Sequence, residues 1–460
     1  MGGTQRNNGI GNYLPYLALF SVSFLVYLKT IGFSFIPSWD DAEYVLENPY
    51  IRGLTADNIK FLFTNTFFAN YAPLHILSYS LDYSIWGLDP KGYHLTNVIL
   101  HSINACLAFA LIEKITKNKA ASLLASFIFA LHPLNVENVA WIAERKTLLT
   151  TLFSFASILS YIRFREKGGL IFYILCLILF ILALLSKPLT VTLPLTLAAY
   201  EIFFKKADRK LLIILPLFAI SILGALTAVW AHIEHKSIEQ GAMTIDVLLG
   251  AVYPTMLPIF WKYIRMIAWP FNLSGFYDAT VYDSFFRLPV LASLIGWLAA
   301  FIAVIWKGTP QIRFWFFWFW IWLLPVSNII PIPVYYADRY MYLPAIGFFV
   351  MASLLVIKLT GAINRKAVLY AVFAALVIFY GAASFMRADV WKDELAFWAD
   401  TAKKSPGQDK AHLNLGYAYE MKGQYKEAER EYMAAVAIYP SPEALSNLNM
   451  VRMKMGLAPQ

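Results

Sequence analysis

Charge is scarce in this chain. Only 15% of its 460 residues are Asp, Glu, Lys or Arg, where a soluble domain carries roughly 25%. That shortage argues against two or three soluble domains, which the length alone would allow. Cysteine is scarcer still. Cys106 and Cys176 are the only two, both inside apolar stretches, so there is no disulfide framework and the redox compartment stays open. Also missing are a glycine-rich nucleotide loop, a Gly-x-Ser-x-Gly elbow and any zinc-ligand spacing. Their absence argues against soluble nucleotide chemistry.

What the chain has in plenty is apolar and aromatic surface, 59% and 17% of residues, with fourteen Trp. The apolar residues recur in stretches near the roughly 20 needed to cross a bilayer, and the aromatics suit two membrane interfaces. Eleven spans are read at 14–36, 93–113, 119–133, 147–162, 169–186, 188–204, 211–231, 288–306, 313–330, 342–358 and 367–386. The first carries Lys29 and no small-residue cleavage site, so it reads as a retained helix and not a signal peptide. The segment 245–270 is apolar too, but Pro254, Pro258 and Pro270 interrupt it and it carries Lys262 and Arg265.

The net charge of +9 is no nucleic-acid signal, because its cations fall mostly in short turns. With the N-terminus inside, the inner turns hold Lys114, Lys117 and Lys119; Arg163, Arg165 and Lys167; Lys205, Lys206, Arg209 and Lys210; Lys307 and Arg313; and Lys358, Arg365 and Lys366. This satisfies the positive-inside rule only if 245–270 does not cross. It is therefore expected as an irregular interfacial or re-entrant segment lining a cavity. Eleven crossings put the C-terminus outside.

After Met386 the chain turns polar. Leu415-Gly416, Tyr419, Gly423, Tyr425, Ala428, Tyr432, Ala435 and Pro440 fit the 34-residue tetratricopeptide (TPR) pattern. Pro406 and Trp398 stand 34 residues before Pro440 and Tyr432, giving a preceding half repeat. One and a half repeats cannot bury a core alone, so the tail is expected to pack on the membrane helices. The expected fold is all-α: a polytopic helix bundle over 1–386 and a short TPR-type module over 387–460.

Two kinds of residue invite chemistry. Asp40, Asp41, Glu43 and Glu47 place four carboxylates within eight residues of the first outer loop, where they raise one another's pKa. The loop is either a solvated acidic stretch or the seat of a general base or metal. Adjacent Asp40 and Asp41 point different ways, so one of them faces any site. On the same side stand cations that orientation leaves unexplained: Arg145 and Lys146 after Glu144, Lys187 between Ser186 and Pro188, and Arg339 after Asp338. Singly they are snorkelling or salt-bridged side chains; gathered round one cavity they suit a phosphate. His94, His101 and His132 are expected to satisfy local hydrogen bonds, and His232 with His235 is a weak metal pattern lacking a third ligand.

Asp40-Asp41 with Asn48-Pro49, Tyr71-Ala72-Pro73-Leu74, His94-Leu95-Thr96-Asn97, His132-Pro133 with Glu137, Ser186-Lys187, Trp269-Pro270 and Ala337-Asp338-Arg339-Tyr340 through Leu343-Pro344 occur in that order. As a set, they resemble the transmembrane-and-TPR protein O-mannosyltransferases, membrane glycosyltransferases of GT-C type. The resemblance implies an outer-face site and a sugar donor carried on polyprenyl or dolichyl phosphate. It also implies transfer to a protein Ser or Thr, with Asp40 as base and Asp41 as its neighbour. Lys187, Arg339 and Arg145 become candidates for the donor phosphate, and Glu137, His132, Glu144 and His94 for substrate or acceptor contacts. No metal is required and none is excluded; a protein acceptor and membrane lipid are expected partners, nucleic acid is not. The chain departs from the family at Glu144-Arg145-Lys146-Thr147, where Gly-Arg-Ala-Asp is frequent, and in its short tail. Short loops and tail favour a bacterial plasma membrane over the endoplasmic reticulum. Two other readings remain open: a GT-C enzyme modifying a lipid or glycan, and a non-enzymatic scaffold or transporter.

Overall fold

The computed structural model describes residues 10–68, 70–205, 209–234, 245–330, 332, 334–362 and 366–458. His235, the side chain of His232, Lys206 and Arg365 lie outside them. Among the described residues there is no strand beyond one isolated bridge, Phe67 with Asn70, and each of the eleven apolar segments is helical over most of its length. The protein is a multi-pass membrane helix bundle.

The order is α1 (Ile10–Tyr27), α2 (Ala56–Thr64), α3 (Pro73–Trp86), α4 (Pro90–Thr116), α5 (Lys119–Leu131), α6 (Val136–Ala140), α7 (Arg145–Lys167), α8 (Leu170–Ser186), α9 (Leu193–Phe204) and α10 (Leu215–Glu234). Then follow α11 (Ile245–Val247), α12 (Tyr253–Ala268), α13 (Leu288–Lys307), α14 (Pro310–Leu323), α15 (Ala345–Ala362) and α16 (Lys366–Ala388). The chain closes with α17 (Glu394–Lys404), α18 (Asp409–Met421), α19 (Tyr425–Ile438) and α20 (Pro442–Lys454). Among the described residues six stretches, within 11–32, 90–116, 142–167, 212–231, 288–307 and 366–391, are individually long and apolar enough to cross a membrane. The stretches 119–131 and 133–140, bent by 51° at His132-Pro133, form a seventh candidate, and three further apolar helices are shorter.

Local chemistry sets the turns that matter for the site. Asp89 caps α4, accepting the Lys91 N–H at 3.1 Å, and Pro90 occupies the first turn, where its missing donor costs nothing. At the other end Lys117 adopts a left-handed conformation and Asn118 caps α5. Gly168 and Gly169, both at positive φ, reverse the chain so that α8 returns along α7. Several buried polar residues of α4 are matched by partners, as buried polar groups generally require. Asn104 donates to the Leu148 carbonyl at 2.9 Å. His101 Nε2 lies 2.9 Å from the Ala130 carbonyl, which can only accept, so Nδ1 accepts from Tyr342 Oη at 2.7 Å.

The segment 245–270 departs from its expected irregularity. Pro254 falls in the first turn of α12 and Pro258 is carried inside it, and a π-turn at Leu248–Val252 leads in. The helix holds because Met256, Ile259, Phe260, Tyr263 and Ile267 form one buried face at helical spacing. Trp261 stacks on Trp297 of α13 at 4.3 Å. The segment also lines an apolar cavity of about 340 Å³ with Trp320, Leu323 and Ile329.

The tail packs on the membrane helices, and the apolar core does not stop at residue 386. Trp391, Phe397, Trp398, Ala402, Ala411 and Leu415 belong to the same continuous core as α4, α5 and α7. A second, smaller core of Leu413, Ala428, Tyr432, Ala435, Ala444, Leu448 and Val451 joins α18, α19 and α20. Gly416 lets α18 and α19 touch, since a Cβ there would stand 2.6 Å from the Tyr432 ring. That ring is further fixed by its hydroxyl, which donates to Glu420 at 2.6 Å. Gly416→Leu should therefore destabilise the small core by the ~1–3 kcal/mol of an overpacked site. Limited proteolysis should then cut after about residue 408 while the membrane helices stay intact; unchanged resistance would mean the two helices have slack.

Candidate active site

The loop after α1 begins in a π-helical turn, Pro37–Leu46, with a kink at Trp39 whose φ/ψ of −116°/−152° are not helical. The kink separates the carboxylates that follow. Asp41 points inward and is used structurally: its two oxygens accept the Ile36 N–H at 2.9 Å and the Ala143 N–H at 3.1 Å. Burial pushes its pKa up to about 7, against those two hydrogen bonds. Asp40 points to the rim, its side chain 26% exposed and 3.7 Å from Lys146. Burial raises its pKa and the nearby Lys146 and Arg339 charges lower it.

Behind Asp40 three cations converge on one buried carboxylate. Glu144 contacts Lys187 at 3.1 Å, Lys146 at 3.6 Å and Arg339 at 3.8 Å, and accepts from Thr147 at 2.5 Å. Lys187 also donates to Thr147 Oγ1 at 2.7 Å. Desolvation pushes the Lys187 pKa down to about 8. Arg339 is aimed by Glu137, which takes its guanidinium at 2.6 Å and its backbone N–H at 2.9 Å. Aromatic faces line the same space: Trp141 lies near both Lys146 and Arg339, and Tyr44 near Lys146. Such cation–π contacts help hold partly desolvated cations. The helical frame explains the gathering: Lys146 opens α7, Lys187 follows α8, Glu137 lies in α6, and Arg339 sits in the 3₁₀ turn Asp338–Met341.

Of the residues singled out in the sequence, Asp40, Glu137, Glu144, Lys187 and Arg339 come together here. Arg145 does not. Its guanidinium is fully buried on the other side of α7, 2.5 Å from Asp82, donating to Asn97 Oδ1 at 2.8 Å and the Tyr93 carbonyl at 2.9 Å, with Tyr79 at 4.6 Å. Successive helical residues point about 100° apart, so only one of Arg145 and Lys146 can face the rim, and Lys146 does. His132 is also occupied elsewhere, its Nε2 donating to the Ile267 carbonyl at 3.0 Å. His94 is buried against Phe33. Among the described residues no three His, Cys, Asp or Glu side chains group as a metal site.

The tail closes one wall. Trp39 is surrounded by Trp398 at 5.2 Å, Trp141 at 5.7 Å, Phe276 at 5.8 Å and Phe397 at 5.9 Å. The Ser38 N–H donates to Glu394 at 3.0 Å and Trp398 Nε1 donates to Ser38 Oγ at 2.6 Å. A further ion-pair chain reaches the tail: Asp338 to Arg387 at 3.7 Å, then Asp400 at 2.8 Å, then Lys404 at 2.7 Å. Burial pushes Asp338 up to about 7.

No family model matches the chain. Over 459 aligned residues it is 27% identical to protein O-mannosyl-transferase F38B6.6 of Caenorhabditis elegans, covering 95% of this chain and 64% of that protein. This chain resembles the protein O-mannosyl-transferases. Human protein O-mannosyl-transferase TMTC3 is 23% identical over 87% of this chain and 49% of its own length. A 185-residue stretch is 32% identical to protein O-mannosyl-transferase Tmtc1 of Drosophila melanogaster, over 37% of this chain and 21% of that one. The chain thus spans less than two thirds of the length of these protein O-mannosyl-transferases. Among solved structures, ArnT from Cupriavidus metallidurans, crystallised with undecaprenyl phosphate, aligns over 97% of this chain and 78% of its own. Its TM-score is 0.44 and its identity 11%.

Proposed function

We propose that the protein is a membrane glycosyltransferase moving a mannose-like sugar from a polyprenyl or dolichyl phosphate to a protein Ser or Thr hydroxyl, with inversion. The observation that carries this reading is the charge order of the site, with one rim carboxylate, Asp40, before three deeper cations, Lys146, Lys187 and Arg339. Glu144, Glu137 and, at the rim, Asp40 hold those three cations in place, so an anionic group entering beside Glu144 meets Lys146, Lys187 and Arg339 together. In the transfer the bond from the anomeric carbon to the donor phosphate breaks and a bond to the acceptor oxygen forms. The acceptor proton passes to Asp40, a role for which a carboxylate within hydrogen-bond reach is suited. The phosphate leaves as an anion, so cations stabilise it and no acid is needed. In-line displacement requires base and leaving group on opposite faces of the sugar, which fits a base at the rim and cations behind. The charged residues collect at helix ends and not along a path through the bundle, which favours an enzyme over a transporter.

The tail helix α17 packs on the loop that carries Asp40, which supports one outer face for both. We place that face outside a bacterial plasma membrane, with eleven crossings and α12 between them as an interfacial helix. Residues 387–460 form the TPR-type module in this reading. The purified protein should transfer sugar from synthetic polyprenyl-phosphate mannose to a Ser/Thr-rich protein, and only with a lipid-linked donor. Transfer from a nucleotide sugar instead would overturn the proposal.

Lys187 gives the reading a pH signature. Its charged form is needed to attract phosphate, and burial lowers its pKa to about 8. Donor affinity should therefore be fully present at pH 6–7 and fall as pH rises through about 8, by at most about tenfold per pH unit. Lys187→Met should bind more weakly at pH 7 and lose that dependence. A wild-type Kd flat from pH 7 to 9.5 would take Lys187 out of the phosphate site.

A further inference from the structure

At the opposite end of α7 from Lys146 lies a second basic cavity, of about 850 Å³, within the roughly 300–1,000 Å³ range of small-molecule sites. With 23 residues in α7 and 1.5 Å rise per residue, the two ends are separated by about 33 Å, a membrane thickness. The C-terminal ends of α4 and α7, the turn residue Lys117 and the first residue of α5 supply Lys114, Lys117, Lys119, Arg163 and Lys167, against Glu113 and Glu166. Glu166 pairs with Lys114 and, at 3.6 Å, with Lys117. Lys119, Arg163 and Lys167 make no ion pair among the described residues, and Arg163 is laid 4.7 Å over the Phe172 ring.

An excess of Lys and Arg at the inner face is what membrane orientation alone requires. Orientation does not require that they surround a cavity or that its wall be apolar. Tyr16 of α1 and Leu159, Phe172 and Leu175 of α7 and α8 form that wall. One turn from Tyr16 on α1 stands exposed Tyr13, and one turn from Leu175 on α8 stands exposed Ile171, so both helices carry the wall outward. In a membrane helix bundle such surface faces acyl chains.

We propose that this cavity binds an anionic membrane phospholipid. The phosphate is held by Lys119, Arg163 and Lys167, and the acyl chains follow the apolar faces of α1 and α8. The charge selects an anionic headgroup, and the continuous apolar exit selects a lipid over a soluble anion, as basic pockets between membrane helices do. The site lies across the bilayer from Asp40 and does not depend on the proposed transfer reaction.

The test uses the full-length protein in a mild detergent, with phosphatidylglycerol, phosphatidylcholine or inorganic phosphate added, and bound lipid counted by native mass spectrometry. Wild type should retain phosphatidylglycerol over phosphatidylcholine by a factor on the order of 10–100. Lys119→Gln/Arg163→Gln/Lys167→Gln should reduce that preference to about twofold or less, with an unchanged thermal midpoint, because all three side chains are exposed. Equal retention of the two lipids, or an undiminished preference in the triple variant, overturns the proposal. So does displacement of the phospholipid by millimolar inorganic phosphate, which would make the ligand a soluble anion.

Discussion

Asp40→Asn is expected to lower the transfer rate by ~10²–10⁴-fold, the usual cost of removing a general base, while donor binding persists. The amide keeps the shape of the carboxylate and can still hydrogen-bond, but it cannot take a proton from the acceptor hydroxyl. Because Asp40 lies 3.7 Å from Lys146, removing its charge leaves the cations behind it at least as attractive to phosphate. Donor affinity should stay level or tighten slightly. Lys187→Met separates the two roles from the other direction, since it removes a charge-assisted contact to phosphate and leaves the base in place. Donor Kd and single-turnover rate, measured for each variant in one detergent preparation, decide the matter. Wild-type turnover in Asp40→Asn would remove Asp40 as the base. Asp41 would be a poor replacement, because both its oxygens already hold backbone N–H groups.

The second large effect concerns folding and not chemistry. Arg145 is wholly buried and Asp82 nearly so, 2.5 Å apart, and the guanidinium also donates to Asn97, Ser78 and Tyr93. Removing one partner of such a pair strands a charge in low dielectric, at a cost of ~3–5 kcal/mol. Asp82→Ala should therefore show a large fall in thermal midpoint or fail to accumulate. Asp82→Asn, which retains a hydrogen-bonding side chain beside Thr96, should lie between it and wild type. Arg145→Met/Asp82→Leu should recover most of the loss, because neither charge then needs to be desolvated. An Asp82→Ala protein with an unshifted midpoint would mean that water reaches Arg145.

Much of this was legible in the sequence because length and hydropathy are local quantities. Each of the eleven apolar segments is a helix over most of its extent, and the neighbours Asp40 and Asp41 part as the chain's geometry requires. The gathering of Lys187, Arg339 and Glu144 could be suspected from their shared position at helix ends. What stayed hidden depends on which way a helix is rotated. Nothing in Glu144-Arg145-Lys146 says which cation faces the rim, and the decisive partner, Asp82, lies 63 residues earlier in a helix with no apparent part in the chemistry. The signal was present only as a buried-charge problem: an Arg at the start of an apolar helix needs an acid from somewhere. Pro258 misled for the related reason that a well-buried helix face can carry a proline that an exposed helix could not.

The aromatic wall around Trp39 has a consequence for synthesis. Trp39 is among the first residues of its loop to leave the ribosome, yet Phe397 and Trp398, two of its four ring neighbours, are made some 360 residues later. At ~5–20 residues per second that interval is roughly 20–70 s. Throughout it the loop carrying Asp40 must wait with one side uncovered. The first part of the site to be translated is thus among the last to be completed.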